Sequence, residues 1–227
     1  MALLEVCAAD IASVRAAVEG GAHRIELCTG LSADGMTPSP GLIRAAREIT
    51  QGRLKMNVLM RPNEDPGFVI SHDDYQIILD DIEFCADQGV DGVVIGALTP
   101  QREIDIETTG RLVKYAKDLG LSVTFHRAFD ITPDPVKALR TLTDLGCDRV
   151  LTSGQASSAQ AGIELLNNLV RMAGDNIIIM PGAGINPSNC ADILAKTNCR
   201  EMHSSCREPG ATSSSPRVVA QIVDLIK

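Results

Sequence analysis

Tryptophan is absent, and four phenylalanines with two tyrosines bring the aromatic share of the 227 residues to only 3%. So few stacking platforms, on a chain of net charge −8 without a clustered basic stripe, argue against a nucleic-acid partner. No apolar run approaches the roughly 20 residues that cross a bilayer, which argues against a membrane partner. The start Met1-Ala2-Leu3-Leu4-Glu5 lacks the charged and long apolar regions of an export signal, so the cytoplasm is the expected compartment. Seven cysteines are an odd number for a disulfide framework, and none pair as Cys-x-x-Cys. That spacing speaks against a zinc ribbon or thioredoxin-like site and leaves reduced thiols as the expectation. Cys85 and Cys147 read as small buried hydrophobes beside apolar helix ends. Cys190, Cys199 and Cys206 are scattered and suggest no role.

What is present is ordinary globular composition, 44% hydrophobic and 22% charged, with no linker, so residues 1–227 form one expected domain. A repeated local grammar organises it. A helix-like stretch closes on glycine and an apolar run follows, at Gly21, Gly52, Gly89, Gly120, Gly146 and Gly174, roughly 25 to 37 residues apart. That spacing accommodates one helix and one strand, so the units are βα and the sheet is parallel. Leu3 to Cys7 before the series and Glu201 to His203 after it bring the expected strands to eight. Eight units predict a (β/α)8 barrel, with a doubly wound open sheet as the rival. In a barrel the strands' C-terminal ends carry the active site.

Strand five delivers the densest polar end, Ser122-Val123-Thr124-Phe125-His126-Arg127-Ala128-Phe129-Asp130, with an imidazole, a guanidinium and a carboxylate where the apolar run stops. Strands one and two close on the same pattern, Glu5-Val6-Cys7 and Glu26-Leu27-Cys28. Alternation turns Glu and Cys of each tripeptide to one face, bringing two acids and two thiols together if the strands are neighbours. The thiols suit Cu(I) or Zn, or else merely plug the mouth. Buried acids need partners, and Arg61, Arg127 and His126 are the candidates. Arg61 either clamps an anion or pairs with Glu5 or Glu26.

Later strands end in Thr152-Ser153-Gly154, Pro181-Gly182-Ala183-Gly184 and His203-Ser204-Ser205-Cys206-Arg207. Glycines there free backbone N–H groups for an anion, or only make a tight turn. The loop Cys28 to Pro40 is either a lid or a plain surface loop. The tail Pro209 to Pro216 is expected to be mobile ahead of a last helix, Arg217 to Ile226.

The blocks Glu5-Val6-Cys7, Arg24 to Cys28, Met60-Arg61-Pro62, Val123 to Asp130, Arg149 to Gly154 and Met180 to Ile185 occur in the order of the CutC copper homeostasis family, which the chain resembles over nearly its whole length. The resemblance implies a cytoplasmic, homo-oligomeric (β/α)8 barrel concerned with copper, with Cys7 and Cys28 at the suspected ligand positions. The chain departs from longer members at Glu208 to Pro216, which is short and rich in small residues.

Two functions follow. One is a Cu(I)-binding protein using Cys7 and Cys28. The other is an enzyme acting on a small anionic metabolite. In it, Glu26, His126, Arg127 and Asp130 form the catalytic set, and Arg61, Arg127, Ser153, Gly182, Gly184 and His203 hold the anion.

Overall fold

A computed structural model describes residues 2–227. Eight strands and eight helices alternate: β1 (Leu3–Ala8), α1 (Ile11–Glu19), β2 (Arg24–Leu27), α2 (Pro40–Thr50), β3 (Lys55–Leu59), α3 (His72–Asp87), β4 (Gly92–Ile95), α4 (Ile106–Asp118), β5 (Ser122–Phe125), α5 (Pro135–Asp144), β6 (Arg149–Thr152), α6 (Ile163–Ala173), β7 (Ile178–Pro181), α7 (Cys190–Thr197), β8 (Glu201–Ser204) and α8 (Pro216–Leu225). All the ladders are parallel, in the order β7-β6-β5-β4-β3-β2-β1-β8. The two end strands lie side by side and complete a nearly closed barrel, the predicted (β/α)8 fold.

Short polar signals set the boundaries. The Asp10, Ser39, Asp105 and Asp134 side chains each accept a backbone N–H at the start of a helix, and Ser71 does so within a reciprocal capping box with Asp74. After α3 and α4 the chain turns at Gly89 and Gly120 with φ of 69° and 80°, a conformation a β-carbon would strain. Those turns are the glycine grammar seen from the backbone.

Alternation then sorts each strand. Leu4, Val6, Ile25, Leu27, Val58, Val93, Phe125 and Met202 face the helices and form the main core. The opposite set points into the barrel and is polar over much of its length: Glu5, Arg24, Glu26, Asn57, Thr124, Glu201 and His203 are all buried. Buried polar groups cost free energy unless they find partners, so this interior must be read as a network.

The chain after β8 is built rather than loose, which corrects the expectation of a mobile tail. An antiparallel bridge joins Arg207 to Ser214, Ser214 Oγ donates to the Ser205 carbonyl, and Ser213 Oγ donates to Asp10. Ser214 N donates to Ser13 Oγ as well, so the segment lies against the start of α1.

Candidate active site and thiol pair

The barrel floor is an ion network. Register sets Glu5 opposite Arg24 and His203, and places Glu201 beside Leu3. Arg24 donates from Nε to Glu5 and from Nη2 to Glu201, whose second donor is Arg149 at 2.8 Å. Asn57 Nδ2 donates to Glu5 at 3.3 Å, and His203 Nδ1 lies 2.8 Å from the other Glu5 oxygen. Burial pushes the Glu5 carboxyl up, but the charges and hydrogen bonds of Arg24 and His203 outweigh it and bring it to about 2. Arg24, between two carboxylates, is raised although burial opposes it. The partners expected for the acids were Arg61, Arg127 and His126. The structure supplies Arg24 and His203 instead, because these sit opposite Glu5 in register, whereas Arg61, His126 and Arg127 lie past the ends of β3 and β5.

Above this floor, Cys7 and Cys28 meet as the duplicated tripeptide implies, with Sγ atoms 3.7 Å apart. Cys28 packs with Leu59 and Val94 in a small apolar cluster of its own, against which Cys7, Ala9 and Leu31 lie. A Cys7 sulfur, a Glu26 oxygen and a His203 nitrogen all fall within 4.8 Å of one another. The Cys28 hydrogen bond and burial push the Cys7 thiol well up, so it rests protonated. Glu26 is buried, its Oε2 has no hydrogen-bond partner, and burial holds its carboxyl at about 7 despite His203 and Arg24. Burial lowers His203, but the Glu26 charge and the Cys7 and Glu5 contacts outweigh it and keep the ring well above the usual histidine range. The mouth thus offers two thiols, one protonatable acid and one imidazole.

The strand-five run does not extend as a strand. It breaks at Phe125, and Arg127–Ile131 forms a 3-10 turn capped by His126, whose Nδ1 accepts the Ala128 N–H at 3.0 Å. Arg127 is half exposed and pairs with Asp130 at 2.8 Å. Asp130 also accepts from Thr152 Oγ1, Ser153 N, Ser153 Oγ and Gln155 N, so its carboxylate pins the end of β6. That saturation describes a structural clamp, and it draws Ser153 and Arg127 together.

Arg61 is buried at the end of β3. Its Nη1 donates to the carbonyls of Ala33 and Gly35, the latter at 2.9 Å, and Thr37 exchanges backbone and hydroxyl hydrogen bonds with its main chain. The loop Cys28 to Pro40, with its 3-10 turn Leu31–Ala33 and Thr29–Met36 bridge, is therefore held down by this arginine. On the far rim, the Gly182 amide donates to the Thr152 carbonyl, and a β-carbon at Gly182 would lie 2.6 Å from Leu151 Cδ1 and 3.4 Å from His203 Cβ. Gly182 leaves room chiefly for the Leu151 side chain of β6, with His203 of β8 at ordinary contact distance. Gly184 has φ of 77°, and its carbonyl accepts from the Asn186 and Asn189 side chains. The predicted anion residues thus divide among three neighbourhoods: Arg61 beside His126, Arg127 and Ser153 around Asp130, and Gly182 against His203.

Sequence reasoning passed over Arg24, Asn57 and Glu201. The signal was available, since Arg24 shares the inward parity of Glu26 and Glu201 that of His203.

Among the described residues no helix is long and apolar enough to cross a membrane. The family model for the CutC family matches residues 2–208. A CutC family protein of Xanthomonas campestris pv. campestris strain 8004 is 45% identical over 208 residues, 92% of this chain and 85% of that protein. One from Parabacteroides distasonis is 45% identical over 205 residues, covering 90% and 83%. Among solved structures, the proposed copper homeostasis protein CutC of Streptococcus agalactiae superposes with a TM-score of 0.85 at 30% identity, covering 90% of this chain and 99% of that one. A thiamine phosphate pyrophosphorylase from Pyrococcus furiosus, at 16% identity and a TM-score of 0.67, shares the fold alone.

Proposed function

The chain belongs to the CutC family, and on that premise we propose that it binds Cu(I) as cargo at the barrel mouth, through Cys7 and Cys28. The observation that carries this reading is the 3.7 Å separation of the two sulfurs. Soft thiolates select Cu(I), and imidazole is the next donor in preference. The His203 nitrogen and a Glu26 oxygen both lie within 4.8 Å of the Cys7 sulfur, and the softer imidazole is the better third donor. Loading releases the thiol protons and, where His203 ligates, its ring proton, so affinity falls as the medium becomes more acid. The reading includes a cytoplasmic location and a homo-oligomeric assembly, both carried from the family resemblance.

Competition against a chromogenic Cu(I) chelator under anaerobic conditions tests it. The expected result is one ion per chain, with affinity lowered sharply by Cys7→Ser or Cys28→Ser, less by His203→Gln, and unchanged by Cys85→Ser. Equal affinity in the wild type and the Cys7/Cys28 double variant overturns it.

One observation favours a second reading, a proton-transfer enzyme acting on a small anionic metabolite: Glu26 is buried without a hydrogen-bond partner on Oε2 and sits at about 7, the range of a general acid or base. Under this reading Glu26→Gln abolishes turnover while leaving Cu(I) affinity in place.

A further inference from the structure

Among the described residues two arginines are buried, Arg24 at 4% and Arg61 at 9% exposure, and their surroundings differ. Arg24 lies between two carboxylates. Arg61 makes no ion pair among the described residues. A buried guanidinium keeps its charge, and burying a charge without a counter-charge is costly. The cost at Arg61 is only partly offset by the Ala33 and Gly35 carbonyls, both of which accept from Nη1. Nε is buried and has no partner. Nε and Nη2 form the side edge of the guanidinium fork, the edge that receives a carboxylate or phosphate with two parallel hydrogen bonds.

A neutral imidazole stands nearby. Phe68 lies under the Arg61 guanidinium, 5.2 Å from Cζ to the ring centroid, and on to His126, ring centroids 5.0 Å apart. His126 Nδ1 accepts the Ala128 N–H, so that nitrogen carries no proton and the neutral ring holds its proton on Nε2. The ring cannot swing away toward β4, because it rests on Gly96, where a β-carbon would come within 2.1 Å of it. Burial and the Arg61 charge keep it neutral. Gly96, Arg61 and Phe68 line one cleft. Asp65 and Asp74 line it too, but their carboxylates are engaged by Val69 N at 2.9 Å and Ser71 Oγ at 2.6 Å.

We propose that this cleft, between the C-terminal ends of β3 and β4 and the start of α3, is an oxyanion-binding site for a small metabolite: the Nε–Nη2 edge of Arg61 receives a carboxylate or phosphate group, and the neutral His126 ring, packed on the Phe68 and Gly96 that line the cleft, senses its charge. The two rim acids favour a single anionic group over a polyanion. The site is separate from the thiol pair and stands whether or not the thiols carry copper.

Titration of the full chain with glycolate and with inorganic phosphate, followed by the His126 imidazole resonances and controlled with sodium chloride at matched ionic strength, tests the proposal. Nitrogen-15 spectra should first show the proton on Nε2. At least one of the two probes should then shift that resonance saturably, with sodium chloride leaving it unmoved, and the better probe identifies the head group. Arg61→Lys, which keeps the charge and loses the two-pronged edge, should weaken binding about tenfold or more. Should Arg61→Lys loosen the Ala33–Gly35 loop and fail to fold, the wild-type titration decides. Absence of saturable binding of either probe to the wild type overturns the proposal, as does equal binding in a folded Arg61→Lys variant. Cys7/Cys28 double replacement by serine should leave the oxyanion affinity unchanged, so the failure of the copper reading and of this one are told apart.

Discussion

Glu5 and Glu26 enter the barrel from neighbouring strands, and the structure treats them oppositely. Glu5 receives Arg24, Asn57 and His203, and these hold its carboxyl at about 2. Glu26 carries a buried oxygen with no partner and is held at about 7 by burial. The duplicated Glu-x-Cys tripeptide thus yields one structural acid and one poised acid. The difference lies in register: Glu5 is opposite Arg24 and His203, whereas Glu26 is opposite Cys7 and Asn57.

Removing Arg24 should be far more damaging than its single position suggests. Arg24→Met leaves Glu5 and Glu201 facing each other without their shared cation, a buried-pair break of about 3–5 kcal/mol. Chemical denaturation should show that loss in midpoint with no change in slope. Replacing Glu5, Arg24 and Glu201 together by apolar residues should recover little, because Arg149, His203 and Asn57 then lose their carboxylates. A single Arg24→Met variant as stable as the wild type would show that the network is not a unit.

Asp130→Asn tests the clamp on β6. Asparagine keeps one acceptor oxygen but puts an NH2 group against donors from Ser153 and Gln155 and loses the charge that pairs with Arg127. The expected cost is about 2–3 kcal/mol, from donors left unsatisfied and a charge-assisted pair lost. Thermal unfolding measures it, and amide exchange should locate the loosening at Ser153 to Gln155. If Asp130 were a proton carrier rather than a clamp, stability would be unaffected.

How much of this was legible depended on whether the signal was local. Glycine after each helix and apolar runs at βα spacing announced eight strands, since helix termination and strand periodicity are decided within a few residues. Cys7 and Cys28 could be paired because strands one and two neighbour each other in any barrel, so a repeated tripeptide must meet itself. Arg24 and Glu201 were visible as letters but not as partners: attention to strand ends overlooked the residue two positions earlier, which alternation sends inward too. The hydrogen-bond partners of Asp130 and Arg61 were not legible at all. They are backbone groups far along the chain, Ser153 and Gln155 for one and Ala33 and Gly35 for the other. The expectation that Arg127 holds a ligand failed to foresee Asp130 three residues on, although the spacing permits the pair.

Glu26 and His126 should leave opposing marks on the pH dependence of stability. Glu26 rises from 4.5 unfolded to about 7 folded, so between those values the native state binds the extra proton and stability falls as pH rises. His126 drops from 6.5 to about 3, chiefly through burial and then the Arg61 charge, so between those values the unfolded state binds the extra proton and stability rises with pH. The two windows overlap between 4.5 and 6.5, where each slope has a ceiling of about 1.4 kcal/mol per pH unit and the signs oppose. These two contributions should nearly cancel there in the wild type, and each variant should unmask the other: Glu26→Gln should gain stability relative to the wild type as pH rises through the window, and His126→Asn should gain relative to the wild type as pH falls through it. Urea unfolding at half-unit pH intervals for the three proteins measures both differences. Parallel curves for wild type and Glu26→Gln would mean that Glu26 titrates normally in the fold and is not the poised acid of the mouth.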